Sequence, residues 1–151
     1  MNSTNTNLGG WPASEIRAYA NNEFFNKLPS DLQNIIINTK VVSGHGSEES
    51  TNFISTDKIY LLSGKEVWNY DGNSETSNSQ SRQLDYYKNN GVTQSNYTSA
   101  IKSYNNSNTN WQLRGSFASK NNVFWCVDLN GRAIGNAATN NNGFAPVFRI
   151  G

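Results

Sequence analysis

Four short apolar runs separated by turn signals fill the last forty or so residues, and this pattern limits the fold more than any other feature of the chain. Each run has the length and the aromatic or β-branched content of a β-strand. Asn130-Gly131 separates two of them and predicts a type I′ hairpin, in which both central residues take positive φ. We therefore expect an antiparallel sheet in the C-terminal third. The runs are residues 111–114, 122–129, 132–135 and 145–150.

Helical patterns lie near the start of the chain. Ser14 is a candidate N-cap for a first helix that presents Ile16 and Tyr19 on one face. Ser30 and Gln33 match a capping box at the start of a second helix. Between these helices and the C-terminal strands we expect strands at 39–43 and 56–62, one helical turn from Ser63 to Trp68, a surface loop at 69–81 and short helices at 84–87 and 97–104.

Helices first and antiparallel strands last predict an α+β fold rather than a doubly wound parallel sheet. Residues 1–10 are predicted to be a flexible polar leader, and residues 11–151 a single domain. The core is expected to contain Trp11, Ile16, Leu32, Ile36, Ile59, Leu61, Trp111, Leu113, Val127, Val147 and Phe148.

The polarity of the chain comes from neutral side chains. Charged residues make up 15% of the sequence, the net charge is +1, and 26 residues are asparagine. Without a cluster of Lys and Arg the chain offers little neutralisation of phosphates, so no nucleic-acid partner is expected. No run approaches the roughly 18 apolar residues of a membrane span, and the first residues lack the segments of a signal peptide. Direct membrane insertion is therefore not expected.

Metal and cofactor chemistry finds little support in the sequence. Cys126 and His45 are the single residues of their types, which excludes an internal disulfide and disfavours a soft-metal site. Asp71 and Glu75 supply oxygens in a loop, but the Glu-Pro-Asn and Trp-Asn-Asp sequences of calcium-binding lectins are missing. We predict neither a metal nor a cofactor.

Three blocks of the chain occur in the order seen in an uncharacterised bacterial domain family of surface and phage-associated proteins. Residues 16–29 resemble its I-R-x-W/Y-L-N-x-x-F-x-x-L-P pattern, and residues 56–63 its T-x-D-K-I-F-L-L-S motif. Residues 111–116 and 143–150 resemble its W-W-L-R-S and G-V-R-P-x-F-x-I motifs, with Gln112 in place of the second Trp and Ala145 in place of the Arg before Pro.

That family in turn resembles C-type-lectin-like domains, including the retroelement-diversified variable proteins of bacteria and phages. The resemblance implies a C-type-lectin-like arrangement, with two N-terminal helices packed on an antiparallel sheet built mainly from the C-terminal third. It also implies an extracellular, cell-surface or virion location within a larger protein. The implied partner is a glycan or protein epitope on another cell or host.

An asparagine-rich and aromatic segment near the C-terminus is the candidate binding surface. Amides both donate and accept hydrogen bonds and rings stack on apolar faces, as in lectins and paratopes. The alternative is that asparagine simply fills every loop of this chain. Arg132 could bind a carboxylate or sulfated sugar. Arg114 is instead expected to make structural hydrogen bonds within the fold. The candidate ligand-binding residues are Asn121, Asn122, Phe124, Asp128, Asn130, Arg132, Asn136, Asn140, Asn141 and Asn142.

Strand alternation assigns the faces of this segment. The set Val123, Trp125, Val127 and Leu129 is the more apolar and is expected to face the core. Phe124, Cys126 and Asp128 would then lie on the opposite, ligand-facing side.

A non-enzymatic recognition domain is the function favoured by the sequence. Formylglycine-generating oxidases share the lectin-like fold but depend on paired cysteines, and this chain has only Cys126. A glycosidase would need two convergent carboxylates, which the C-terminal strands do not offer. A structural spacer domain remains as the other alternative.

Overall fold

A computed structural model describes residues 1–76 and 81–151, and it shows an α+β protein whose helices precede most of its strands. A π-helical turn (Ala20–Phe24) extends the second helix, and a 3-10 turn spans Thr98–Ala100. The helices are α1 (Gly10–Ala13), α2 (Glu15–Tyr19), α3 (Ser30–Ile35), α4 (Gly64–Trp68) and α5 (Asp85–Asn89). The strands are β1 (Ile36–Ile37), β2 (Thr39–Ser43), β3 (Phe53–Asp57), β4 (Lys102–Tyr104), β5 (Ser107–Thr109), β6 (Trp111–Ser116), β7 (Val123–Val127), β8 (Ala133–Ala137) and β9 (Arg149–Ile150).

The strands form small antiparallel sheets, which confirms the predicted α+β class. The largest is three-stranded, in the order β6-β7-β8, and the pairs β1-β9, β2-β3 and β4-β5 make two-stranded sheets. The C-terminal segment does not join the three-stranded sheet as a full strand. Pro146 has no N–H to donate to a ladder, so Val147 makes a single bridge to Tyr60 and only β9 pairs, with β1.

The β7-β8 hairpin forms, but its turn is not type I′. Gly131 has φ 90°, whereas Asn130 does not take positive φ. The main-chain N–H of Gly131 donates to the Asp128 carbonyl (3.0 Å), and the Asp128 Oδ1 accepts from the N–H groups of Asn130 and Arg132 (2.8 Å each). The Asp128 carboxylate therefore stabilises a three-residue turn that ends in a left-handed glycine.

The short hairpin β4-β5 contains the two successive positive φ angles that a type I′ turn requires. Asn105 has φ 49° and Asn106 has φ 62°, between paired Tyr104 and Ser107. The predicted helix at 97–104 is therefore wrong beyond its 3-10 turn. Asparagine tolerates the left-handed conformation, which makes Asn-Asn a hairpin signal in its own right.

The helix boundaries follow local capping only in part. Ser14 Oγ accepts from the Arg17 N–H (3.3 Å), which confirms the predicted cap of α2. The predicted Ser30–Gln33 capping box is wrong, because Pro29 occupies the cap position of α3 and the Gln33 side chain donates to the Leu28 carbonyl (2.7 Å). At the start of α4, the Glu66 carboxylate instead accepts from the Ser63 N–H (2.8 Å), which is the Glu half of a capping box.

The predicted strand at 56–62 begins earlier and ends sooner, as β3. After Asp57 the chain turns, because the side-chain amide of Asn21 binds the backbone of Lys58 and Ile59 at 2.8–3.1 Å. The loop predicted at 69–81 includes residues 77–80, which lie outside the described residues.

Most of the predicted core is buried, around Trp111, Leu113, Trp125 and Val127 in the three-stranded sheet. Smaller clusters surround Trp11 with Leu61 and Ile36 with Ile59, while Ile16, Leu32 and Val147 are half-buried against them. Two residues contradict the prediction: Phe148 is 37% exposed and Leu129 is 49% exposed. Val147 already faces inward, so its neighbour points outward, and Leu129 lies in the hairpin turn.

The first residues, predicted to be flexible, are bound to the domain. Asn7 is fully buried, and its Nδ2 donates to the carbonyls of Lys120 (2.9 Å) and Val123 (2.8 Å). The Asn2 N–H donates to the Ala138 carbonyl at 2.8 Å. Among the described residues, no helix is both long enough and apolar enough to span a bilayer.

Candidate functional site

Strand β7 separates the predicted ligand-binding residues into two groups. Asn121 and Asn122 precede the strand, and Asp128 follows it. At about 3.3 Å per residue, Asn122 and Asp128 lie roughly 20 Å apart, too far for one sugar unit to contact both. The predicted set therefore divides between the two ends of the sheet.

Phe124 does not belong to any surface. It is 0% exposed, as is Cys126 on the same side of β7, while Trp125 and Val127 on the other side are also buried. The prediction that Phe124 faces a ligand is wrong because both faces of this strand are covered. Alternation identified the two sets correctly but could not show that each would be packed.

At the start of β7, the asparagines make few contacts. Asn121 is exposed, and its Nδ2 lies 3.4 Å from the Glu48 carboxylate. Asn122 is half-buried and its carbonyl accepts from the Ala138 N–H (2.9 Å). Neither residue lines the depression that Asn141 borders or the cavity beside Arg132, both described below.

Asn136 and Asn142 belong to a chain of amides that extends into the core. Asn136 Nδ2 donates to Asn142 Oδ1 (3.2 Å), and Asn142 Nδ2 donates to Gln112 Oε1 (2.8 Å). The buried Gln112 then donates to the carbonyls of Trp125 (2.8 Å) and Leu113 (2.9 Å). Gln112, which departs from the W-W-L-R motif, thus has a structural role that also orients two predicted site residues.

The neighbouring Asn140 and Asn141 are exposed. Asn141 borders a shallow depression next to the N-terminus, together with Met1, Glu15 and Tyr19.

At the other end of β7, Arg132 joins aromatic side chains around a cavity of about 350 Å³, which we call the aromatic pocket. Asp128 and Asn130 shape the adjacent turn, because the Asp128 carboxylate accepts from the backbone on either side of Gly131. The aromatic pocket is lined by Tyr70, Gln94, Tyr97, Trp125, Arg132 and Ala133.

Arg132 is held in place by Tyr97. Its Nε donates to the Tyr97 hydroxyl (2.7 Å), and its guanidinium carbon lies 5.5 Å from the centre of the ring. The hydrogen bond to Tyr97 raises the pKa of Arg132, so its charge is retained at every physiological pH. Within the described parts of the chain, the two Nη groups make no hydrogen bond and can donate to a ligand.

Trp125 forms a fixed wall of the aromatic pocket. Its indole N–H donates to the Ser74 hydroxyl (3.0 Å), and its ring packs on Phe117 with centroids 4.4 Å apart. Tyr70 meets the same ring edge-on at 6.0 Å. Neighbours on both sides therefore restrict the indole to one orientation.

Five lining residues were missed by sequence reasoning, which assigned them to loops, a helix, the core or a strand: Tyr70, Gln94, Tyr97, Trp125 and Ala133. Tyr70 and Tyr97 stand in Asn- and Ser-rich segments, and aromatic residues in such polar loops are the one signal that could have indicated them. Tyr70 and Tyr97 come close to Arg132 only through contacts between residues that are distant in sequence.

Reactive groups elsewhere are enclosed. Burial raises the pKa of the Cys126 thiol to about 12. Burial also raises the pKa of Asp71 and of Glu75, against the charges of Lys65 and Arg82 respectively. Across residues 1–76 and 81–151, no three His, Cys, Asp or Glu side chains are grouped to hold a metal ion.

Arg114 has the structural role expected of it. It is fully buried, and its guanidinium donates to the carbonyls of Val42 (2.8 Å) and Leu61 (2.6 Å) and to the Glu66 carboxylate. Asp57 likewise forms an internal ion pair, with Arg17 (2.7 Å).

Neither the curated proteins nor the solved structures contain a match to this chain. A family model described as Domain of unknown function (DUF6273) matches residues 1–151. Because the match spans the whole sequence, the chain belongs to the DUF6273 family.

Proposed function

We propose that this chain is a non-enzymatic recognition domain with a C-type-lectin-like arrangement, and that it binds a glycan in the aromatic pocket. Helices before antiparallel strands, a formed C-terminal hairpin and the pairing of β1 with β9 support the proposed arrangement.

The observation that supports glycan binding best is the Arg132–Tyr97 pair at the mouth of a cavity lined by further rings. Sugars present apolar C–H faces that pack on aromatic rings, and hydroxyls that accept from fixed donors. Tyr70 and Tyr97 offer the rings, while the Arg132 guanidinium and the Gln94 amide offer the donors. A cavity of about 350 Å³ is at the small end of ligand pockets, which suits one or two sugar units.

The side chains of the aromatic pocket and the state of Cys126 favour binding over catalysis. None of the described residues that line the aromatic pocket carries a carboxylate, and glycosidases need a pair of carboxylates roughly 5–9.5 Å apart. Cys126 has neither the exposure nor the pKa of a reactive thiol, which argues against a formylglycine-generating-type oxidase.

The setting we propose is a bacterial surface or phage protein, with the glycan on another cell or host. This rests on the motifs shared with surface and phage-associated proteins and on an asparagine-rich composition with little net charge. A protein epitope is the second candidate ligand, because Leu129, in the turn next to the aromatic pocket, is exposed and offers an apolar contact.

A glycan and protein array probed with the wild-type chain tests this function. We expect binding to at least one glycan, with affinity reduced at least about tenfold by Arg132→Gln or Gln94→Ala, since each removes donors to the sugar. Lys88→Gln, an exposed charge on α5 outside the aromatic pocket, is the matched control and should bind as the wild type does.

Two results would contradict the proposal. A chain that binds no glycan or protein, or binds them equally after Arg132→Gln, would favour a structural spacer. Product formed from any glycan incubated with the purified chain would favour an enzyme.

A further inference from the structure

A second cavity, which shares no lining residue with the aromatic pocket, has more cationic than anionic side chains in its lining. It measures about 350 Å³, and we call it the basic pocket. Its charged lining comes from β2, α4, β6, β9 and the segment before α5. The charged and hydroxyl groups in its lining include Lys40, Arg82, Arg114, Arg149, Glu66 and Tyr60.

One side of the basic pocket is neutral and fixed. Arg114 donates to Glu66 Oε2 (2.5 Å) and Oε1 (3.0 Å) and to two main-chain carbonyls. Burial by itself would raise the pKa of Glu66, but the charge and hydrogen bonds of Arg114 outweigh it and hold that pKa below its usual value. Both partners therefore stay ionised, and their charges cancel.

The remaining cations exceed the anions. Arg82 is paired with Glu75, which leaves Lys40 and Arg149. Within the described ranges, neither of these two residues has a salt-bridge partner. The basic pocket thus has an excess of about two positive charges in a chain whose net charge is only +1.

The convergence of Lys40 and Arg149 is produced by the fold. Arg149 pairs with Ile37 across the β1-β9 ladder, and Lys40 follows three residues later on β2. A lone exposed lysine is normally just solvated, but here two cations from distant parts of the chain border one cavity together with the Tyr60 ring. Cations that gather at a concave site focus the field on it.

We propose that the basic pocket binds a phosphate or sulfate group borne by a small molecule or a glycan unit. A phosphate ester of charge near −2 matches the excess charge, and a singly charged sulfate ester offsets part of it. An arginine fork with a lysine is the usual pairing for such groups. This site is separate from the aromatic pocket and does not depend on glycan binding there.

Calorimetric titration of the whole chain with inorganic phosphate and inorganic sulfate at low salt tests the proposal. We expect both anions to bind the wild type, and the double variant Lys40→Gln/Arg149→Gln to weaken binding at least about tenfold. The control Lys88→Gln/Lys120→Gln removes the same charge from exposed positions outside the basic pocket and should weaken binding less than about twofold. Equal melting temperatures would show that both variants fold.

A pH series adds a readout that general charge attraction does not give. Sulfate keeps the same charge between about pH 5 and 8, so its binding should be constant there. Phosphate esters lose their second proton at about pH 6, so glucose 6-phosphate should bind more tightly as the pH rises through that value. The affinity for glucose 6-sulfate should stay constant over the same range.

Three outcomes would overturn the proposal. The first is that neither anion binds the wild type. The second is that the control variant weakens binding as much as the pocket variant does. The third is that only vesicles containing phosphatidylglycerol bind, which would indicate attraction to a membrane surface instead of a small-molecule site.

Discussion

The guanidinium of Arg114 holds the carboxylate of Glu66 through two hydrogen bonds, one from Nη1 to Oε2 (2.5 Å) and one from Nη2 to Oε1 (3.0 Å). Glu66 Oε2 also accepts from the Ser63 N–H (2.8 Å) at the N-terminus of α4. The same arginine binds the carbonyls of Val42 and Leu61. One ion pair therefore connects the three-stranded sheet, helix α4 and strand β2.

Glu66→Gln should destabilise the fold by about 3 kcal/mol near neutral pH, because it leaves the buried Arg114 charge without its partner. The pKa of Glu66 is lowered from 4.5 in the folded chain, so its contribution is complete above that value and is lost as the pH falls below it. Urea unfolding from about pH 7 down to pH 3 should show the gap between wild type and variant closing. A gap that stays constant across this range would contradict the assignment.

Glu75→Gln should behave in the opposite way, although Glu75 also faces an arginine. Burial raises the pKa of Glu75 above 4.5, so the charged form costs stability that is recovered as the pH falls. We expect the variant to change the free energy of unfolding by less than about 1 kcal/mol at pH 7, since the Arg82 side chain is 24% exposed and can be solvated. The same urea titrations check this, and a loss equal to that of Glu66→Gln would show the prediction to be wrong.

Asp57→Ala should be among the most damaging substitutions. The buried carboxylate of Asp57 accepts from Trp11 Nε1 (2.9 Å), Arg17 Nε (2.7 Å) and Ser55 Oγ (2.6 Å). Its removal leaves these donors unpaired and should cost about 3–5 kcal/mol in thermal or urea unfolding. Asp85→Ala, an exposed acid in the first turn of α5, is the control and should cost less than about 1 kcal/mol.

Gly131→Ala should disturb both stability and the aromatic pocket. Gly131 has φ 90°, and a Cβ there would lie 2.1 Å from the Tyr97 carbonyl oxygen. Gly91 also has positive φ (64°), but its nearest neighbour would be 3.6 Å away.

We therefore expect Gly91→Ala to cost about 1–2 kcal/mol, from backbone strain alone, and Gly131→Ala clearly more. A chemical-shift change at the Tyr97 ring should accompany Gly131→Ala only. Equal losses of unfolding free energy in the two variants would contradict the close approach of Tyr97 to the turn.

Cys126 should resist thiol reagents in the native chain. It is fully buried in β7, and burial raises its pKa to about 12, so the thiolate is scarce at neutral pH. Reaction with a chromogenic disulfide should therefore proceed only after unfolding in denaturant. Rapid labelling of the native chain would mean that β7 opens readily.

Much of the local structure could be read from the sequence. Ser14 capping α2, the turn from Ser63 to Trp68 and the strands β6 to β8 follow from patterns that involve neighbours only a few residues apart. The errors arose where a local signal had competitors. At Asn130-Gly131 the Asp128 carboxylate stabilises a turn other than the predicted type I′ turn. The type I′ geometry forms at Asn105-Asn106 instead.

The candidate sites depended on tertiary structure far more. Periodicity groups Phe124 with Cys126 and Trp125 with Val127, because side chains alternate along a strand, but it does not reveal what covers each face. Arg132 and Tyr97 are far apart in the chain, and no periodic pattern in the sequence predicts that they pair.

The sequence by itself determined the α+β class, the positions of most helices and strands, and the structural role of Arg114, since these depend on local propensity or on a charge too costly to bury unpaired. Only the tertiary structure decided that Phe124 is buried, that Arg132 contacts Tyr97 and that Lys40 and Arg149 border one cavity. Those outcomes depend on long-range packing, in which the cover of a face and the neighbours of a loop come from distant parts of the chain.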